Sequence, residues 1–191
     1  MTREDAAYQM ILLKSNITDE YDAWLDHYLE IEDPLSDILL KLLDCRSHLS
    51  DTISCLQFYC WEKEYDHQSV AEKLRLYLKN AYLSGKIDRE TCVNDMYAFA
   101  YKSERMHEEF AVMSTISDYY ELAEDQILDI EKWEKLLFLP YLLEGKFEKS
   151  NIWARLAYPK KDSFGEGSNK NSKTKNEDRI IAVFFQKSTI A

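Results

Sequence analysis

The pairs Glu64/His67 and Glu104/His107 are the residues best suited by type and spacing to do chemistry. A glutamate three residues before a histidine puts a carboxylate and an imidazole on one helix face. Di-metal carboxylate bundles take two such units, with further glutamates from two other helices. The first pair straddles a predicted helix boundary, because Asp66 or His67 suits the cap of the apolar stripe that starts at Val70. The pattern is also common by chance in a chain with many glutamates, so surface histidines on acid-rich helices are the expected reading. Glu64, His67, Glu104 and His107 stand as the alternative, a di-metal enzyme.

Other chemistry has no support in the pattern. There is no G-x-S-x-G, no H-E-x-x-H, no phosphate-cradling glycine loop, no EF-hand loop and no cofactor-binding signature. Helical RNases of the HEPN type place an Arg four to six residues before a His, and none of the four histidines has one there. Cys45, Cys55, Cys60 and Cys92 lack C-x-x-C spacing and read as reduced, packed thiols.

The charge pattern is more informative. Between Asp19 and Asp33 lie Asp19, Glu20, Asp22, Asp26, Glu30, Glu32 and Asp33 with no Lys or Arg, and Tyr21, Trp24 and Tyr28 are interleaved. A second run holds Asp118, Glu121, Glu124, Asp125, Asp129 and Glu131 beside Tyr119 and Tyr120. An ordinary exposed helix mixes signs, since Glu–Lys pairs at i,i+4 relieve repulsion. Runs that forgo this relief fit a surface that steers a basic partner, with the aromatic rings as anchors. Charge reversal at Asp22 and Asp26 is expected to weaken such an association.

These residues need elements to hold them. Only Gly85 and Pro34 interrupt the chain before Pro140, and helical periodicity dominates, which predicts an all-α antiparallel bundle of about six to seven helices. Thr18 is read as the cap of a helix carrying Tyr21, Trp24, Leu25, Tyr28 and Ile31. Asp33, with Pro34 behind it, is read as the cap of the next. A further helix starts near Ser50 or Asp51. Val70, Ala71, Leu74, Tyr77, Leu78, Ala81 and Tyr82 make the clearest stripe, which Gly85 should stop. Asp88 caps a helix facing inward through Cys92, Val93, Met96, Phe99 and Ala100. One helix is expected from Phe110 through Ile127 to Ile130, and another that Pro140 ends or kinks.

The 191 residues suffice for one sizeable core, and the net charge is −11. That charge is uneven: residues 1–144, the expected acidic bundle, carry −16, and the basic segment 145–191 carries +5. In the segment a mobile loop is expected over 160–178 and a strand over 179–187, with 151–158 as its nearest pairing partner in a small hairpin. The acidic body disfavours nucleic acid. No signal peptide or membrane-length apolar run is read, so the cytoplasm is the default.

In composition and helix pattern, residues 1–144 resemble the small, acidic, helical immunity proteins with which bacteria neutralise toxin nucleases. The resemblance implies a non-enzymatic inhibitor that covers the active or substrate-binding surface of a basic toxin. The site residues expected on this chain come from its own pattern: Asp19, Glu20, Tyr21, Asp22, Trp24, Asp26, Tyr28, Glu30, Asp118, Tyr119, Tyr120, Glu121, Glu124 and Asp125. A third reading is a helical scaffold or regulatory protein whose basic tail touches nucleic acid.

Overall fold

The computed structural model describes residues 1–103, 108–148 and 150–157, and these form an all-α body with no strand among them. Helix α1 (Arg3–Lys14) carries a nearly continuous apolar run. Ala6, Ala7, Met10, Ile11, Leu12 and Leu13 are all buried, so it forms the spine on which α4 (Leu49–Trp61), α5 (His67–Leu83) and α6 (Arg89–Lys102) pack. A helix apolar around much of its circumference has no solvent face to show and belongs inside. Thr2 caps it, accepting from the Asp5 N–H, and Lys73 reaches Asp5 from α5.

Helices α5 and α6 follow the predicted stripes. Val70, Ala71, Leu74, Leu78 and Ala81 are buried on α5, and Cys92, Val93, Met96, Phe99 and Ala100 on α6. The side chains of Asp66 and Asp88 cap them by accepting from the N–H groups of Gln68 and Thr91. Gly85, at φ 72°, lets the chain leave α5 while the Lys86 N–H closes back onto Ala81 O. Helix α7 (Glu108–Glu124) lies along α6 and buries Phe110, Met113, Ile116, Tyr120 and Ala123.

Several boundaries differ from expectation. Helix α2 (Tyr21–Ile31) starts after Glu20, and Thr18 supplies no side-chain cap; its carbonyl accepts from the Tyr21 N–H in a turn. Helix α3 (Asp37–Asp44) starts after Ser36, and Asp33 and Pro34, joined by a cis peptide, lie in the loop before it. The helix expected to run to Ile130 stops at Glu124. Gln126 takes φ 58° without a glycine, Ile127 turns outward, and Asp129 caps a new helix, α8 (Ile130–Trp133). Pro140 does not end that helix. A π turn (Glu134–Phe138) bonds the Leu139 N–H to Glu134 O, and the wider coil carries the chain past the proline into α9 (Leu139–Glu144).

Residues 151–157, expected as half of a hairpin, form the short helix α10 (Ile152–Leu156). Ile152 and Leu156, four apart, are buried against the bundle, Leu156 O accepts from the Asp129 N–H, and Lys132 Nζ donates to Ala157 O. Burying that i,i+4 pair against helices favours a helical turn over a strand. The loop 160–178, the strand 179–187, Glu104 and His107 lie outside the described residues. Among the described residues, no helix is long and apolar enough to cross a membrane.

Candidate functional site

Helix α2 divides its residues by face. Tyr21 and Leu25, four apart, are buried. Trp24 and Tyr28 are half-buried and extend an aromatic stack, with Tyr21 and Trp24 centroids 5.9 Å apart and Trp24 and Tyr28 5.3 Å apart. These rings fasten α2 to the body, and Tyr21 has no exposed surface to offer as an anchor. Asp22, Asp26, His27 and Glu30 face solvent.

The acids of α2 find cations from distant parts of the chain. Arg46, just beyond α3, places its Nε 2.7 Å from Asp22 and its two terminal nitrogens 2.6 and 2.9 Å from the Asp26 carboxylate. That fork holds the Asp26 carboxyl below its ordinary range and the Arg46 guanidinium above its own. Lys86, past the end of α5, pairs with Asp19 and lies 3.9 Å from Glu20. Glu32 accepts from the Met1 amino group at 2.6 Å and from the Ser36 N–H at 3.2 Å. The relief that this stretch lacks at i,i+4 therefore comes through tertiary contacts.

Four acids of α2, α3 and their connection are left over. Glu30, Asp33, Asp37 and Asp44 are exposed and make no ion pair among the described residues. Apolar surface accompanies them: Ile31 is 61% exposed, Leu40 46% and Leu43 44%. On α3 the positions 37, 40, 41 and 44 recur at helical spacing. Its inner side buries Ile38, Leu39 and Leu42, while its outer side shows Asp37, Leu40, Lys41 and Asp44. The outer side of α3 is thus an acidic helix surface with exposed leucines.

The second acidic run is built differently. Tyr119 and Tyr120 are both buried; Tyr120 lies 4.9 Å from the Trp133 ring with the Arg89 guanidinium over it, and Tyr119 lies 5.4 Å from Trp153. Burial raises the pKa of both phenols. Asp129 is spent as the α8 cap, accepting from the N–H groups of Glu131 and Lys132. Glu121, Glu124 and Asp125 are exposed, whereas Asp118 is half-buried. Helix α2 packs on α3, and α7 packs on α5, α6 and α8, so the two runs do not build one continuous face.

Glu64 and His67 are the half of the metal alternative that falls among the described residues. Glu64 is exposed in the turn after α4, and His67 opens α5 beside Tyr65, so Asp66, the cap, separates them and they do not share a helix. Among the described residues, no three His, Cys, Asp or Glu side chains are grouped to hold a metal ion.

One buried charge gave no signal in the sequence. Arg75, 6% exposed, lies at a cleft of about 370 Å³ lined in part by Glu72, Glu108, Glu109 and Tyr141. All three of its nitrogens are engaged, with three of the five N–H donors used: Nε and one terminal nitrogen go to Glu72 at 2.7 and 2.5 Å, and the other terminal nitrogen goes to Leu142 O at 2.5 Å. With Lys79 donating to Leu143 O, it satisfies the open carbonyls at the end of α9. Arg75 is thus a capping residue. Comparison with protein-family models, curated proteins and solved structures finds no match to this chain.

Proposed function

We propose that this protein is a non-enzymatic inhibitor that binds a basic protein, as immunity proteins bind toxin nucleases, and that the outer surface of α2 and α3 makes the contact. The supporting observation is the set of unpaired, exposed acids Glu30, Asp33, Asp37 and Asp44 beside the exposed side chains of Ile31, Leu40 and Leu43. The acids set the approach rate and orientation of a cationic partner, and the apolar side chains give the dry contact that holds it. Asp22 and Asp26 contribute less to such a contact than their sequence position suggests, because Arg46 already occupies them.

The test is a binding assay with the triple variant Glu30→Lys, Asp37→Lys, Asp44→Lys. Basic proteins captured by the wild type at low salt are purified and titrated against both forms. A one-to-one complex that the variant weakens by about 10–100-fold, and that salt weakens in the wild type, is expected. The three residues are exposed, so an unchanged melting temperature shows that the variant is folded. Equal affinity of the two proteins, or no stoichiometric complex at either salt, refutes the reading.

A further inference from the structure

The thiols of Cys45 and Cys55 face each other with 3.9 Å between their sulfurs. Cys45 ends α3, where its N–H bonds Lys41 O, and its thiol donates to Leu42 O at 3.7 Å. Cys55 lies on α4 one turn beyond Thr52, whose hydroxyl donates to Cys45 O at 3.0 Å and fixes the end of α3 against α4. Both cysteines are half-buried, whereas Cys60 and Cys92 are fully buried. Small apolar packing explains the second pair of cysteines, but it does not require the first pair to bring sulfur onto sulfur at a partly exposed junction of two helices.

We propose that Cys45 and Cys55 are a modification site: a dithiol that a low-molecular-weight disulfide of the glutathione type converts to an intramolecular disulfide. One cysteine, as thiolate, attacks a sulfur of the small disulfide and expels one thiolate, leaving a mixed disulfide on the protein. The other cysteine gives its proton to solvent and attacks the protein-side sulfur of that bond, expelling the second thiolate. The protein loses two protons and two electrons, and the small disulfide becomes two thiols. The sulfurs must close by about 1.9 Å, from 3.9 Å to a bond of about 2.05 Å.

The neighbours fit this chemistry. Thr52 anchors the main chain of Cys45, so the two sulfurs stay near each other while their side chains turn. Burial, and then Cys45 beside it, raise the pKa of the Cys55 thiol, so closure quickens as pH rises. The bond would pin the end of α3 to α4 directly before Arg46, the residue that clamps Asp22 and Asp26. The proposal rests on the sulfur geometry alone and does not depend on the binding reading above.

The experiment treats the full chain with increasing ratios of oxidised to reduced glutathione at mildly alkaline pH, blocks remaining thiols with an alkylating agent, and maps the products by mass spectrometry. The expected product is a monomer lighter by two hydrogens with a Cys45–Cys55 cross-linked peptide, exceeding mixed disulfide by at least about tenfold because the second attack is intramolecular. Cys55→Ser should instead stop at the mixed disulfide on Cys45. Accumulation of glutathione adducts on the wild type, a cross-link through Cys60 or Cys92, or four free thiols at the most oxidising ratio overturns the proposal.

Discussion

Asp95 is the acid in α6 that the body treats least kindly, and replacing it with Asn tests whether burial is the reason. Its carboxyl is partly buried and has no hydrogen bond or ion pair among the described residues, and desolvation raises its pKa from 3.8 to about 6. Between about pH 4 and 6 the native chain keeps this proton while the unfolded chain has lost it. Native stability therefore falls as pH rises through that window, and the whole penalty is present above it. The full gap corresponds to about 3 kcal/mol, and water reaching a carboxyl that is only half-buried lowers this to about 1 kcal/mol. Asp95→Asn removes the penalty without changing the shape of the side chain. Urea denaturation of both proteins should show the variant more stable by about 1 kcal/mol at pH 7.5, with the gain mostly gone near pH 4 and the denaturant slope unchanged. The other acids titrate alike in both proteins and cancel in the difference. An equal gain at both pH values, or a loss at pH 7.5, would mean that the ionised carboxylate has a favourable partner and that the burial argument is wrong.

Two further perturbations test the packing around α5 and α9. Gly85 and Gly145 have nearly the same backbone, φ 72° and 69°, but a β-carbon at Gly85 meets open space while one at Gly145 lies 3.4 Å from Arg75 Nε. Thermal melts should show about 1 kcal/mol lost on Gly85→Ala and more on Gly145→Ala, and equal losses would show that Arg75 yields freely. Arg75→Met leaves Leu142 O and Glu72 without their donors and should cost about 1–3 kcal/mol in urea denaturation; Arg75→Lys should recover little, since an ammonium cannot serve both partners of the fork, and full recovery would refute the capping role.

The helices with clear amphipathic contrast and visible caps were legible in the sequence. Helix α5 begins at the Asp66 cap, ends before Gly85, and buries the predicted stripe between them, and α6 follows Asp88 in the same way. Helix α1 had a cap pattern in Thr2 and Asp5 but no amphipathic contrast, because Met10 to Leu13 form an apolar run without a polar face to set its period. The break between α7 and α8 was hidden because Gln126, a side chain with no special freedom at positive φ, makes the turn that a glycine would have announced. Pro140, expected to end or kink its helix, does not end it: a π turn just before it widens the coil, and the chain continues into α9. At the candidate site the acids were legible one by one. Their cations were not, since Arg46 lies 20 and 24 residues from its partners and Lys86 lies 67 from Asp19. The interleaved tyrosines were ambiguous for a related reason. Spacing of i,i+4 with Leu25 puts Tyr21 on the buried side as readily as on a binding side.

Those distant cations also determine what the acidic surface has left to give. From Asp19 to Asp44 the chain holds nine acids, and the cationic groups within that stretch or paired to it are Lys41, Arg46, Lys86 and the Met1 amino group. Arg46 and Lys86 neutralise Asp19, Asp22 and Asp26 toward the start of α2, and the Met1 amino group takes Glu32 at its end. The surplus collects at the far end of α2 and along α3, where Lys41 is the lone base among Glu30, Asp33, Asp37 and Asp44. These exposed acids without ion pairs among the described residues are what a cationic partner would meet first on the proposed reading. The proposed contact and a merely solvated helix part on one readout: neutralising Asp37 and Asp44 with Asn should weaken capture of a basic protein at low salt if the surface binds one, whereas a solvated face would leave capture unchanged.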